Sequence, residues 1–165
     1  MFGNGWTMNS QQILPLRIAI CVLALGAAIA QIFVIPRAAS SYAEAYPEVA
    51  YLAAPYAAAS IVAVVGIEVA LLAGWQILSI AKREESFTSS VLGWANVMAA
   101  SLVFTAAVLV GVFAHAFFVA NIGGPAILFG LFSSTAFGAG AVVARRAVTR
   151  EILFDSREQH PFVVP

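Results

Sequence analysis

The sequence predicts an all-α polytopic membrane protein, a four-transmembrane-helix bundle with both termini in the cytoplasm. Three observations carry that expectation. Of 165 residues, 62% are hydrophobic and only 10% charged, whereas a soluble domain carries roughly 45–50% apolar and about 25% charged residues. The apolar residues gather into four runs, each near the ~20 residues a helix needs to cross a bilayer core of ~30 Å. The basic residues sit almost entirely on one side of those runs.

The first run, residues 18–35, lies between Arg17 and Pro36-Arg37. Its apolar core, 18 residues long, exceeds the ~7–15 of a signal peptide core, so it is expected to be retained, although the small residues Ala38-Ala39-Ser40 leave a cleavage reading open. The second, residues 57–81, stops at Lys82-Arg83-Glu84-Glu85. Pro55 suits its first turn, where a missing N–H costs nothing. The third, residues 91–120, has Thr88, Ser89 and Ser90 ahead of it as capping candidates and is long enough to tilt. The fourth, residues 125–144, follows the short turn Asn121–Pro125, which makes the third and fourth helices antiparallel neighbours. Residues 1–17 form an N-terminal segment and 145–165 a C-terminal tail. Backbone groups must pair within the chain when in lipid, and runs this long and uniformly apolar do so as helices.

Seven of the eight Lys and Arg fall on the side of the termini and one, Arg37, on the other. The positive-inside rule then places both termini in the cytoplasm of a multi-pass cell-membrane protein. All four tyrosines, Tyr42, Tyr46, Tyr51 and Tyr56, fall in or beside the Pro36–Pro55 loop, at the outer interface. Ser40–Tyr46 reads as a short helix there, either lying on the headgroups or serving as a lid or docking surface. Past the fourth run, Arg145–Asp155 reads as a helical continuation, with Gln159-His160-Pro161 a loose tail.

Formal net charge is zero, which gives nucleic-acid binding no electrostatic support. The single cysteine, Cys21, cannot form an internal disulfide or a multi-cysteine metal site. No P-loop, HExxH or GxSxG pattern occurs. No catalytic residue, metal or cofactor is expected.

Glu68 is the one acid inside a span. Counting from Tyr56 puts it ~18 Å down, near the midplane, where a charge is costly and often marks an ion or proton path. The alternative is a neutral acid donating one interhelical hydrogen bond to Ser133, Ser134 or Thr135, which count to a similar depth. His115 counts to the level of Gln31 and Ser60, an outer polar layer, too shallow to meet Glu68 directly.

Small residues recur at helical spacing: Gly66, Ala70 and Gly74 on the second helix, Ala107, Gly111 and His115 on the third, and Gly130, Ser134 and Gly138 on the fourth. Such stripes allow close helix approach. Glu68 lies about 200° around from Gly66, so glycine face and acid meet different neighbours, within the bundle or in a second subunit.

With these landmarks in place, the chain resembles a bacterial family of small four-helix membrane proteins, domain of unknown function family 2975. The likeness rests on Pro36-Arg37-Ala38, Pro47-Glu48-Val49-Ala50-Tyr51-Leu52 with Pro55, Phe87-Thr88-Ser89-Ser90-Val91, and the charged segment around Arg150-Glu151, over about residues 14–154. The resemblance implies no established activity and no catalytic residues. Some members are similar to proteins found beside small helix-turn-helix regulators, which implies a membrane-linked regulatory role. The tail departs from the pattern in Ile152-Leu153-Phe154 and its Pro-ended extension.

The expected function is therefore a non-enzymatic structural, interaction or regulatory membrane subunit. Its partners would be the lipid bilayer, a second copy or another membrane protein, with Arg145, Arg146 and Arg150 at the membrane surface. The alternative is an oligomeric proton-coupled transporter or permease acting through Glu68.

Overall fold

A computed structural model of the chain describes residues 10–81 and 87–158. They form α1 (Ser10–Ile29), a π turn (Ala30–Val34), α2 (Ile35–Ala45), a 3-10 turn (Pro47–Leu52), α3 (Ala53–Ala81), α4 (Phe87–Phe118) and α5 (Pro125–Glu158). There is no strand among the described residues. Among the described residues four stretches are long and apolar enough to cross a membrane: Leu14–Ala45, Pro47–Ile80, Ser90–Phe118 and Pro125–Ala147. The charged segment Lys82–Glu85 and the Gln159-His160-Pro161 tail lie outside the described residues.

The boundaries differ from the expected ones at the proline-rich end. Pro36 does not stop the first helix. A proline removes one N–H and crowds the preceding turn, and here the chain widens to a π turn just before it, with Ile35 N–H reaching back to the Ala30 carbonyl. The helix then runs on to Ala45, so the expected short helix over Ser40–Tyr46 is the end of a continuous element. Likewise the second span starts at Pro47 rather than near residue 57, because the 3-10 turn feeds directly into α3. α4 opens at Phe87, which puts Thr88, Ser89 and Ser90 in its first turn instead of ahead of it.

The α4–α5 turn is as short as expected. Asn121 takes the left-handed backbone (φ 57°) that asparagine tolerates at helix ends. Ile122 N–H bonds the Ala116 carbonyl and Ala120 N–H the His115 carbonyl, which satisfies the last acceptors of α4. α5 continues unbroken past Arg145 to Glu158.

The helices pack in series. α1 and α2 lie on α3, α3 on α4, and α4 on α5, with no comparable packing of α1 on α4 or α5, or of α3 on α5. The interior is built from small residues: Ala63, Ala70, Ala73, Ala99, Ala106, Ala116, Thr105 and Ser134 are buried, and Leu52 is the one larger apolar side chain among them. A soluble protein with so small a core would be short of hydrophobic drive. In lipid that drive is absent between helices, and association rests on close backbone approach and interhelical hydrogen bonds.

The α3–α4 seam shows both. Thr105, 1% exposed, donates its hydroxyl hydrogen bond to the Ala63 carbonyl at 3.1 Å. A Cβ added at Gly66 would overlap the Thr105 Oγ1 and lie 3.2 Å from the Ser101 carbonyl oxygen. The buried stripe of α3 is thus Ala63, Gly66, Ala70 and Ala73. Gly74 has rotated off it and meets only the Ile20 Cδ1 of α1, at 4.0 Å. The reason is geometric: a strict i,i+4 row drifts around a helix of 3.6 residues per turn, and alternating steps of three and four hold one face.

On α5, Gly130, Ser134 and Gly138 do face α4. The Phe113 ring lies over Gly130, 2.5–2.9 Å from where a Cβ would stand, and the Ala106 Cβ is 2.9 Å from that position at Gly138. On α4 the expected stripe is not the packed one. Ala107, Gly111 and His115 are exposed, and nothing comes within 4 Å of a Cβ at Gly111. Thr105 and Ala106 occupy the seams in their place.

Candidate functional site

One group of polar side chains, Arg17, Glu68, Ser79, Tyr56 and Ser60, lies along the seam between α1–α2 and α3 and at its two ends. α3 presents opposite faces to its two neighbours. Measured from Glu68 at 100° per residue, Gly66 lies about 160° away, while Trp75 and Ser79 lie within about 20°. Gly66 packs on α4, and Trp75 and Ser79 receive Arg17 of α1, so Glu68 belongs to the α1 side. It is half-buried and makes no hydrogen bond or ion pair among the described residues.

This overturns the proposed link between Glu68 and Ser133, Ser134 or Thr135. α5 is separated from α3 by α4. The Gly66–Thr105 and Phe113–Gly130 contacts also set a register that offsets Ser134 from Glu68 by ~9 Å along the axis. Ser134 instead donates to the Gly130 and Leu131 carbonyls of its own helix, Thr135 donates to the Leu131 carbonyl, and Ser133 is exposed.

At one end of the seam the Arg17 guanidinium carbon stands 4.9 Å from the centre of the Trp75 ring, and its Nη2 donates to the Ser79 hydroxyl at 3.2 Å. Ser79 in turn donates to the Trp75 carbonyl at 2.9 Å. A guanidinium over an indole face is a cation–π arrangement, and it pins the start of α1 to the far end of α3. Arg17 Nε is buried without a partner. Further along α1, the amide Nε2 of Gln31 is also buried and unpartnered. Gln31 sits inside the π turn, and such turns recur at functional sites.

At the tyrosine end, His115 does not form a layer with Gln31 and Ser60. Its Nδ1 is 2.9 Å from the Tyr56 hydroxyl, with the rings edge to face at 5.9 Å between centroids. The count failed because α3 begins before residue 57, which raises Tyr56 to the level of His115 and leaves Ser60 one turn deeper. Between α2 and α3 a cavity of 330 Å³ is lined by Tyr42, Tyr56 and Ser60 over an aliphatic floor. Tyr42 stacks obliquely on Tyr46, with ring centroids 4.8 Å apart.

At the opposite end of the α4–α5 seam, Arg145 Nε donates to Asn96 Oδ1 at 3.0 Å, while Arg146 and Arg150 are exposed. Sequence reasoning missed Arg17, Tyr56 and Thr105. Arg17 and Trp75 both flank spans, a signal that could have paired them. Nothing local distinguishes Thr105 from other hydroxyl residues in spans.

A family model covers the chain from α2 through the end of α5. The family described as "Protein of unknown function (DUF2975)" matches residues 37–159. The chain belongs to this family. The matched segment starts later than the resemblance suggested, and it contains the tyrosine end, Glu68, His115, Arg145, Arg146 and Arg150, while Arg17 and Gln31 precede it. No curated protein matches the chain, and no solved structure does.

Proposed function

We propose that this member of the DUF2975 family is a non-enzymatic membrane subunit that works by interaction, with a regulatory or accessory role. The observation that carries this reading is the serial packing of its helices. None of the first span's apolar window is buried within the chain, and only 6% of the last one's, against 22% of the second's. The helices at both flanks therefore offer most of their surface to lipid or to another membrane helix. Arg146 and Arg150, exposed on the continuation of α5, supply cations beside the membrane for anionic lipid or a protein partner. The charge asymmetry supports both termini on the cytoplasmic side of the cell membrane.

The test is purification from native membranes in mild detergent, followed by mass determination of the intact complex. A stoichiometric foreign protein is the expected result, and a chain that is monomeric in every mild detergent sinks the reading. A second reading, an oligomeric proton-coupled transporter, is favoured by one observation: Glu68 is half-buried in the α1–α3 seam with no partner among the described residues. Under it, Glu68→Gln abolishes substrate-dependent proton flux in proteoliposomes while leaving assembly intact. A homodimer that retains its flux in that variant removes Glu68 from the mechanism.

A further inference from the structure

We infer that the cavity between α2 and α3 is a binding site for a neutral lipophilic ring compound carrying a hydroxyl or carbonyl oxygen. The inference does not rest on the interaction reading or on Glu68. The cavity's 330 Å³ falls at the small end of the range for ligand pockets, about 300–1,000 Å³. Ile35, Ala38 and Ala57 give it an apolar floor, and no charged side chain lines it. Arg37 opens onto the neighbouring groove with Phe33 and Ser41 instead. An ionised ligand would therefore find no counter-charge, while an apolar ring would find aliphatic and aromatic walls.

Three features distinguish this space from a packing gap. The first is Ser60. Ser79, Ser101, Ser134 and Thr135 each return their hydroxyl to a carbonyl of their own helix. Ser60 makes no hydrogen bond among the described residues, and its oxygen is not among the buried unpartnered atoms, so it stays accessible from the cavity. The Tyr42 hydroxyl is likewise without a hydrogen-bond partner among them. The second is Tyr56, whose ring forms one wall and is held in place by its hydroxyl's bond to His115. The third is the π turn, which ends in Val34 and hands over to Ile35, both lining the cavity. A widened turn there sets α2 in its course over α3.

The Ser60 hydroxyl chooses between occupants. A lipid acyl chain would fill the floor but leave Ser60, one turn deeper than Tyr56, facing hydrocarbon unbonded, whereas one oxygen on a ring compound can bond to it.

The probe is 2-naphthol, uncharged at neutral pH and unreactive toward the exposed Cys21. Its binding to the full chain in nanodiscs is followed by its own fluorescence, with empty nanodiscs as the blank. Saturable binding above the blank is expected. Ala38→Leu and Ala57→Leu fill the cavity from opposite helices, and each should weaken binding about tenfold or more. Ser60→Ala should weaken it about threefold to tenfold while leaving helicity and thermal unfolding unchanged. No saturable binding above the blank overturns the inference. So does unaltered affinity in whichever filling variant folds, or in Ser60→Ala. A co-purifying phospholipid that 2-naphthol fails to displace would make an acyl chain the occupant and overturn it equally.

Discussion

The two faces of α3 are held to their neighbours by different physics. Toward α4 the contact is dry and close, made of Ala63, Gly66, Ala70 and Ala73 against a helix whose Thr105 reaches across to a backbone carbonyl. Toward α1 and α2 it is polar and loose, with Arg17 anchored on Trp75 and Ser79 at the α1 end and a cavity at the α2 end. Between those ends lie Glu68 and a buried Gln31 amide, both without a partner among the described residues. Helices in lipid gain no hydrophobic free energy by meeting, so side-chain size at the seam decides how intimately they pack. Where α3 offers small residues the seam closes. Where it offers Glu68, Trp75 and hydroxyl side chains it stays open enough to hold polar groups and empty space. The first kind of seam supplies stability and the second supplies sites.

This contrast can be broken from the dry side first. Gly66→Leu places a side chain into Thr105 and the Ser101 carbonyl, and backbone cannot yield as a flexible side chain does. It should lower stability by about 3 kcal/mol, the upper end of the overpacking range, in a denaturing-detergent titration of the reconstituted chain. An unshifted midpoint would mean that the α3–α4 seam does not limit stability. Gly130→Ala should cost about 1 kcal/mol in the same titration, because the ring it meets, Phe113, can swing aside. Thr105→Val keeps the shape and deletes only the hydrogen bond to Ala63, for which about 0.6 kcal/mol is the typical loss in a membrane interior. A loss as large as that of Gly66→Leu would show that the polar bond, rather than close approach, dominates this seam.

The polar side should respond locally. Arg17→Gln removes the cation over Trp75 and is expected to leave the global midpoint unshifted. Amide hydrogen exchange should speed up in α1 while α3 and α4 keep their protection. Equal acceleration in all three helices would show that α1 unfolds together with the rest, and the distinction between the two seams would then fail.

Much of the fold was legible in the sequence, and the reasons are specific. The existence and number of the spans are readable because lipid requires unbroken apolar helices, a condition on composition and length alone. The Asn121–Pro125 turn is readable because a short connection admits only an antiparallel pair. Pro36 misled because proline's cost was absorbed by a π turn, a backbone adjustment that no residue type announces. The error at the tyrosine end has a separate cause, the 3-10 turn that runs straight into α3: a helix started too late put His115 beside Ser60 instead of Tyr56.

The candidate site was legible only as a set of suspects. Glu68 and His115 stand out because polar residues are rare inside spans. Their neighbours depend on helix order, and the serial arrangement separates Glu68 from Ser134 by a whole helix. The small-residue rows show the same division. Gly130, Ser134 and Gly138 face α4 as read, while Gly74 and Gly111 leave the seams, because equal spacing along a sequence does not track a single face for long.

By itself, then, the sequence determined the class, the number of spans and the residues worth watching. Each of these follows from what a bilayer excludes, residue by residue. Only the tertiary structure decided that α4 stands between α3 and α5, that Thr105 locks the α3–α4 seam and that Tyr56 meets His115. Those facts depend on helix order, rotation and axial register, which are set by the fit of two surfaces and are not written in either surface alone.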